Sequence, residues 1–184
     1  LFFPCNTPPG IHMITLDFLI TSLIVVLIPG TGVIFTVSTG LIQGKRASLF
    51  AAFGCTLGIV PHLLATVLGL AAILDMSALA FQSIKFAGVA YLFFLAYATW
   101  KDRSAFTIDQ EASPRSAKNI VTKAILLNIL NPKLSIFFLA FLPQFLPQFV
   151  EPNAPSALLH LAMLSAVFMA MTFVVFVIYG LLAN

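Results

Sequence analysis

The stretch "LIVVLIPGTGVIF", residues 23–35, decides how this chain is read. It is apolar on both sides of Pro29-Gly30 and belongs to a run long enough to cross a bilayer. Proline inside a helix removes an amide donor and crowds the preceding turn, and glycine loosens what remains. A soluble core helix avoids the pair. A membrane helix tolerates it only where protein or a water-lined cavity re-satisfies the freed backbone groups. The break therefore predicts a site.

Composition agrees with a membrane location. The 184 residues are 60% hydrophobic and 8% charged, with a mean hydropathy of +1.07. Soluble domains carry roughly one-quarter charged residues. A formal net charge of +3 is too small to indicate nucleic acid as a partner. Cys5 and Cys55 form no CxxC pair and no ligand cluster, so neither a metal nor a cofactor is expected. Cys55 lies in an apolar segment and reads as a small packing residue. Residues 1–12, "LFFPCNTPPGIH", lack a basic n-region and precede Met13. They read as an upstream extension rather than a cleavable signal peptide, which leaves 13–184 as a single transmembrane domain.

Five hydrophobic segments follow, at about residues 16–42, 47–74, 77–100, 120–146 and 157–182. Each exceeds the ~20 residues that span the hydrocarbon core. Lysine and arginine gather in the first loop (Lys45, Arg46) and around the third (Lys101, Arg103, Arg115, Lys118, Lys123), whereas the second and fourth loops carry Asp75 and Glu151. The positive-inside rule then makes loops 43–46 and 101–119 cytoplasmic and puts the N-terminus outside.

A second break lies in segment four, "LLNILNPKLSIFFLAFLPQF", residues 126–145, at Asn131-Pro132-Lys133. Pro29, counted from the outer end of its segment, and Pro132, counted from the inner end of its own, both fall about 18–20 Å along the helix rise. Being three segments apart, the two interrupted helices run in opposite directions. Paired interruptions in two halves of opposite orientation are the pattern of an inverted-repeat transporter, whose substrate site lies at the repeat interface. The expected fold is thus an all-α polytopic membrane protein built on an inverted 3+3 helix repeat. Its sixth helix is missing from the five segments seen.

At this point the chain resembles the LysE/RhtB family of amino-acid exporters. The resemblance rests on "IPGTGVIFTVSTGLIQGKRASLFAAFGCTLGIVPHLLATVLGLAAIL", "IKFAGVAYLFFLAYATWK" and "ILLNILNPKLSIFFLAFLPQF", in that order. Members usually read Pro-Gly-Pro at the first break, where this chain has Thr31 in third place; the break is softer and gains a hydroxyl. A sixth transmembrane segment is also usual. The resemblance implies export of amino acids or close derivatives across the bacterial inner membrane, driven by the proton motive force.

Individual residues can then be weighed. Lys133 lies ten residues beyond Lys123, about 15 Å deeper, too far for easy snorkelling. An unpaired ammonium at mid-membrane costs about 2.5–3.5 kcal/mol on insertion scales. It should face a cavity and anchor the substrate carboxylate, with Pro29, Gly30, Thr31, Asn128, Asn131 and Pro132 completing the substrate site; a structural ion pair, or a hydrogen bond to carbonyls freed by the break, is the blander alternative. Asn128 and Asn131, three apart, share a face and serve equally well as interhelical glue. Thr36 and Ser38 offer further hydroxyls near the first break. His62 lies well inside a span and is a candidate for proton coupling, since imidazole changes charge near neutrality; a packed, hydrogen-bonded histidine is the more ordinary reading. Asp17, Asp75 and Lys85 lie toward the outer side, where Lys85 either snorkels or pairs with an aspartate as a gate. Gly54/Gly58 and Gly40/Gly44 make GxxxG spacings, which pack helices within a protomer or across a homodimer.

Other functions fit less well. An intramembrane enzyme needs a nucleophile with a base, or a metal cluster, and no HExxH, GxSxG or paired intramembrane carboxylate accompanies His62 or His160. No GxxxxGK[ST] supports ATP use. A passive channel or a structural subunit of a membrane complex is the alternative that remains.

Overall fold

The computed structural model describes residues 14–74, 78–101, 116–146 and 155–183. Every described element is helical: α1 (Leu16–Leu27), α2 (Thr31–Gln43), α3 (Lys45–Leu57), α4 (Val60–Leu74), α5 (Ala78–Lys101), α6 (Ala117–Ile129), α7 (Pro132–Ile136) and α8 (Pro155–Leu182). Helices thus cover all five expected segments, with ends displaced by about three residues at most. Residues 1–12, Asp75, Glu151 and most of the 101–119 loop fall outside the described residues.

The chain is an all-α, multi-pass membrane protein. Two helical stretches, Lys45–Gly69 and Pro155–Leu182, are each long and apolar enough to cross a membrane. The pairs α1–α2 and α6–α7 bend by 54° and 51° at their breaks and raise the number to four if each pair is one span. Apolar side chains face outward in a way no water-soluble surface would sustain: Leu68 is 85% exposed and Leu130 79%.

Beyond the two expected breaks, two segments depart from regular α-helix. The second divides at Gly58-Ile59 into α3 and α4, because Pro61 has no N–H to offer the carbonyl of Leu57 four residues back. The fourth ends in a π-helical turn, Phe137–Phe141, followed by a 3-10 turn, Leu142–Phe145. Pro143 withholds a donor from Leu139 there, and the Leu142 N–H reaches back five residues to Phe137. A side chain from α4 steadies the loosened turn: Thr66 donates to the Phe138 carbonyl at 3.1 Å.

α8 supplies the central post. Ala157, Leu161, Leu164, Phe168, Thr172, Phe176 and Gly180 recur every three or four residues and are buried, one stripe of a helix that otherwise faces apolar surroundings. Phe168 stacks on Phe137 at 4.4 Å between ring centroids and meets Phe138 edge-on at 5.5 Å. Those contacts dock the π-helical turn against α8. At the other end, Lys123 lies over the Phe35 ring at 5.7 Å, tying α6 to α2.

Small residues set how closely α3 approaches α6. A Cβ on Gly54 would lie 2.7 Å from the Val121 carbonyl oxygen and from Ala124 Cβ, and one on Gly58 2.7 Å from Asn128 Cβ. Gly40 meets the Gly180 carbonyl in the same fashion, at 2.9 Å. Gly54, Gly58 and Gly40 of the two GxxxG spacings are therefore used within the protomer. Gly44 acts through its backbone instead. It turns the chain from α2 into α3 at φ 83°, a region where side chains are strained.

Candidate functional site

The site is built from what each proline takes away. At the first break the helix stops at Leu27 and restarts at Thr31. The carbonyls of Leu27 and Ile28 then lose the amide partners four residues ahead, which have passed into the new helix. Both are recovered from distant elements. Tyr179 of α8 donates its hydroxyl to Leu27 O at 3.3 Å. Lys133 donates from Nζ to Ile28 O at 2.8 Å.

At the second break Pro132 cannot donate to Asn128 O. The Asn131 amide turns to Asn128 O instead, at 3.1 Å, and this leaves Leu127 O without its usual donor. His62 Nε2 lies 3.0 Å from Asn128 O, and Thr31 Oγ1 lies 3.5 Å from Leu127 O. Because Asn128 O can only accept, the His62 proton is assigned to Nε2; Nδ1 then accepts from the Ser135 hydroxyl at 3.4 Å. Asn131 restarts the helix by capping it: its Oδ1 accepts from Lys133 N at 3.1 Å, with Pro132 at the first helical position.

The two breaks thereby clasp each other. A side chain from the second break takes a carbonyl of the first, and a side chain from the first takes a carbonyl of the second. A flanking helix completes each side, α8 through Tyr179 and α4 through His62. Gly30 makes the crossing close enough, since a Cβ there would lie 3.2 Å from Lys133 Nζ. The backbone at Gly30 is ordinary extended chain (φ −127°, ψ −174°), so it is the close approach that needs glycine.

Between the breaks lies a small cavity of about 10 Å³, lined by Asn128, Asn131 and Lys133 from one side and by Val25, Val26, Phe168, Thr172 and Phe176 from the others. That is room for about one water molecule, so an amino acid enters only if the clasp opens. Lys133 is 4% exposed. Among the described residues the sole acidic side chain is Asp17, exposed at the start of α1. Lys133 is thus a buried cation whose one hydrogen-bond acceptor there is a neutral carbonyl, an arrangement suited to receiving an anion.

The expected site residues separate into three kinds. Asn128, Asn131 and Lys133 line the cavity. Pro29 and Gly30 shape the first break. Thr31 and Pro132 are exposed on the flank of the bundle, Thr31 holding Leu127 O and Pro132 acting through its missing N–H. His62, 8% exposed, is drawn into the second break. Thr36 is buried one turn further on and bonds back to Gly32 O at 2.8 Å. Asp17 is exposed and Lys85 half-buried, and among the described residues no ion pair links the two; Asp75 falls outside the described residues.

Sequence reasoning passed over Tyr179, Ser135, Thr172 and Gly32. Tyr179 carried a signal, being the lone phenol of the fifth segment. Gly32 carried a weaker one, as a second glycine just past the break.

The comparisons with known proteins bear on this geometry. A family model for LysE-type translocators matches residues 23–184. A membrane protein of Vibrio cholerae, itself uncharacterised, is 37% identical over 131 residues, 71% of this chain and 64% of that protein. The homoserine/homoserine lactone efflux protein of Salmonella typhimurium is 36% identical over 138 residues, 75% of this chain and 65% of the relative. The leucine efflux protein of Klebsiella pneumoniae is 27% identical over 135 residues, 71% and 62% of the two chains. This chain therefore spans a little under two thirds of the length of each. No solved structure matches. The match over both breaks and all that lies between them places this chain in the LysE family of translocators.

Proposed function

We propose that the protein is a secondary carrier that exports amino acids or close derivatives across the bacterial inner membrane, coupled to the proton motive force. The observation that carries the reading is the mutual clasp of two broken helices around a buried lysine that has no counter-ion among the described residues. A small cavity at such a crossing suits alternating access, in which opening one side exposes Lys133 and closing it restores the carbonyl contact. The orientation follows from the basic loops, with 43–46 and 101–119 cytoplasmic and the N-terminus outside. Helices α1–α5 and α6–α8 then belong to two inverted halves.

The names of the relatives support the cargo. Homoserine and its lactone, the cargo named for the Salmonella relative, share an ammonium and an acyl oxygen, although only homoserine has a free carboxylate. Lys133 can donate to either kind of oxygen, and an ionised carboxylate makes the stronger bond. The role assigned to Lys133 is therefore to hold the substrate's oxygen end.

Counterflow tests the carrier. In vesicles holding the full-length protein, preloading with unlabelled homoserine, threonine, lysine or leucine is expected to drive labelled substrate inward against its gradient. A passive channel cannot do this, and failure of all four cargoes to exchange would overturn the reading.

His62 is assigned the proton. A glutamine at this position can still donate to Asn128 O but cannot titrate. His62→Gln is therefore expected to keep counterflow within about twofold while losing export driven by a pH gradient, a split that follows from separating the hydrogen bond from the charge change. Gradient-driven export persisting in the variant would remove His62 from the proton path.

A further inference from the structure

The clasp leaves one polar atom over. Asn128 is 1% exposed, and chemistry distinguishes the two ends of its amide. One end donates to the Cys55 carbonyl, so it is Nδ2. The other end is then the Oδ1 acceptor, and it is buried with no hydrogen-bond partner among the described residues. Such an orphan is costly to a fold.

Local packing makes room for this atom. A Cβ on Gly32 would lie 2.6 Å from Oδ1, so only glycine at 32 leaves the oxygen where it is. Asn128 lines the cavity together with Thr172. The Thr172 hydroxyl donates to Phe168 O at 2.8 Å, and its lone pairs remain available as acceptors. The cavity of about 10 Å³ takes one water, or one ammonium head of similar size.

We propose that Asn128 Oδ1 is the acceptor for the α-ammonium of the carried amino acid, with Thr172 Oγ1 beside it, so that the pocket selects molecules bearing a free α-amino group. This inference rests on the carrier reading and adds the ammonium end to the oxygen end held by Lys133. Two cations repel in a dry cavity unless an anion lies between them. The substrate's own carboxylate or acyl oxygen does so only when the molecule lies with its oxygen end toward Lys133. The polarity of binding is thereby set.

The test compares counterflow of homoserine, threonine, lysine and leucine with analogues lacking only the α-amino group: 4-hydroxybutanoate, 3-hydroxybutanoate, 6-aminohexanoate and 4-methylpentanoate. The full-length protein in vesicles is expected to prefer each amino acid it exchanges by about tenfold or more, the discrimination that a hydrogen bond to a charged group supplies. Gly32→Ala presses on Oδ1, since the added Cβ would lie 2.6 Å from it and 2.9 Å from Phe176 Cε2, and Thr172→Val removes the second acceptor at nearly constant shape. Each is expected to shrink the preference, Gly32→Ala to less than about threefold, while exchange of the analogue is retained. Equal exchange of amino acid and analogue by the native protein overturns the ammonium site and leaves the carrier standing. A preference untouched by both substitutions does the same and leaves Oδ1 with a water only. If none of the four amino acids exchanges, the carrier reading falls and takes the ammonium site with it.

Discussion

Lys133→Met is expected to reduce counterflow by about tenfold or more, because it removes a charge-assisted hydrogen bond of about 1.5–3 kcal/mol to the substrate and leaves nothing in its place. Methionine is close to lysine in length and flexibility, so the space beside Gly30 stays filled. Ile28 O loses its donor at 2.8 Å, which costs the closed form about 1–3 kcal/mol. Part of the loss should therefore appear as a lowered melting temperature in detergent. Lys133→Arg separates the two effects. It keeps the charge, but the guanidinium is bulkier and meets a crossing where a single added carbon at Gly30 would already lie 3.2 Å from Nζ. Arginine is expected to restore little transport. Unchanged rate and unchanged substrate affinity in Lys133→Met would remove the residue from the substrate site.

Gly54→Val should disrupt the fold rather than the chemistry. The atoms that a Cβ would strike include the Val121 carbonyl oxygen at 2.7 Å and Val121 Cα at 2.9 Å, and backbone cannot swing aside as a side chain can. α3 must move off α6. Overpacking of this kind costs roughly 1–3 kcal/mol and sometimes more. The displacement also pulls Cys55 O away from Asn128 Nδ2, so the second break loses one of its ties. Gly88→Ala is the contrasting case, since its nearest neighbour is the Ile136 Cγ2 methyl at 3.1 Å. It is expected to lower the melting temperature less. Equal melting points for Gly54→Val and the native protein would show that the close α3–α6 approach is not required.

Both predictions turn on contacts of different legibility. The need for donors at the breaks could be read from Pro29 and Pro132, because a helix interrupted by proline leaves carbonyls without their amide partners. The identity of the donor could not. Lys133 and Ile28 are 105 residues apart, Thr31 and Leu127 are 96 apart, and no local periodicity relates them. Thr31 shows the difference most plainly. In the sequence it is a departure from the proline usual in the family. In the structure its hydroxyl is the reciprocal half of the clasp, a bond that proline has no atom to make.

The amino-acid sequence by itself determined the number and limits of the hydrophobic segments, the two interruptions and the burial of Lys133. Each follows from hydrophobic length, from a missing N–H or from the cost of charge in lipid, and these are properties of a short stretch of chain. Only the tertiary structure decided that the GxxxG faces pack α3 on α6 and α2 on α8, that Asn131 spends its oxygen on a helix cap, and that Asn128 keeps one free. Those outcomes depend on which distant group arrives first at a limited number of acceptors. Hydrogen-bond valence is settled by neighbours in space, and the chain order does not name them.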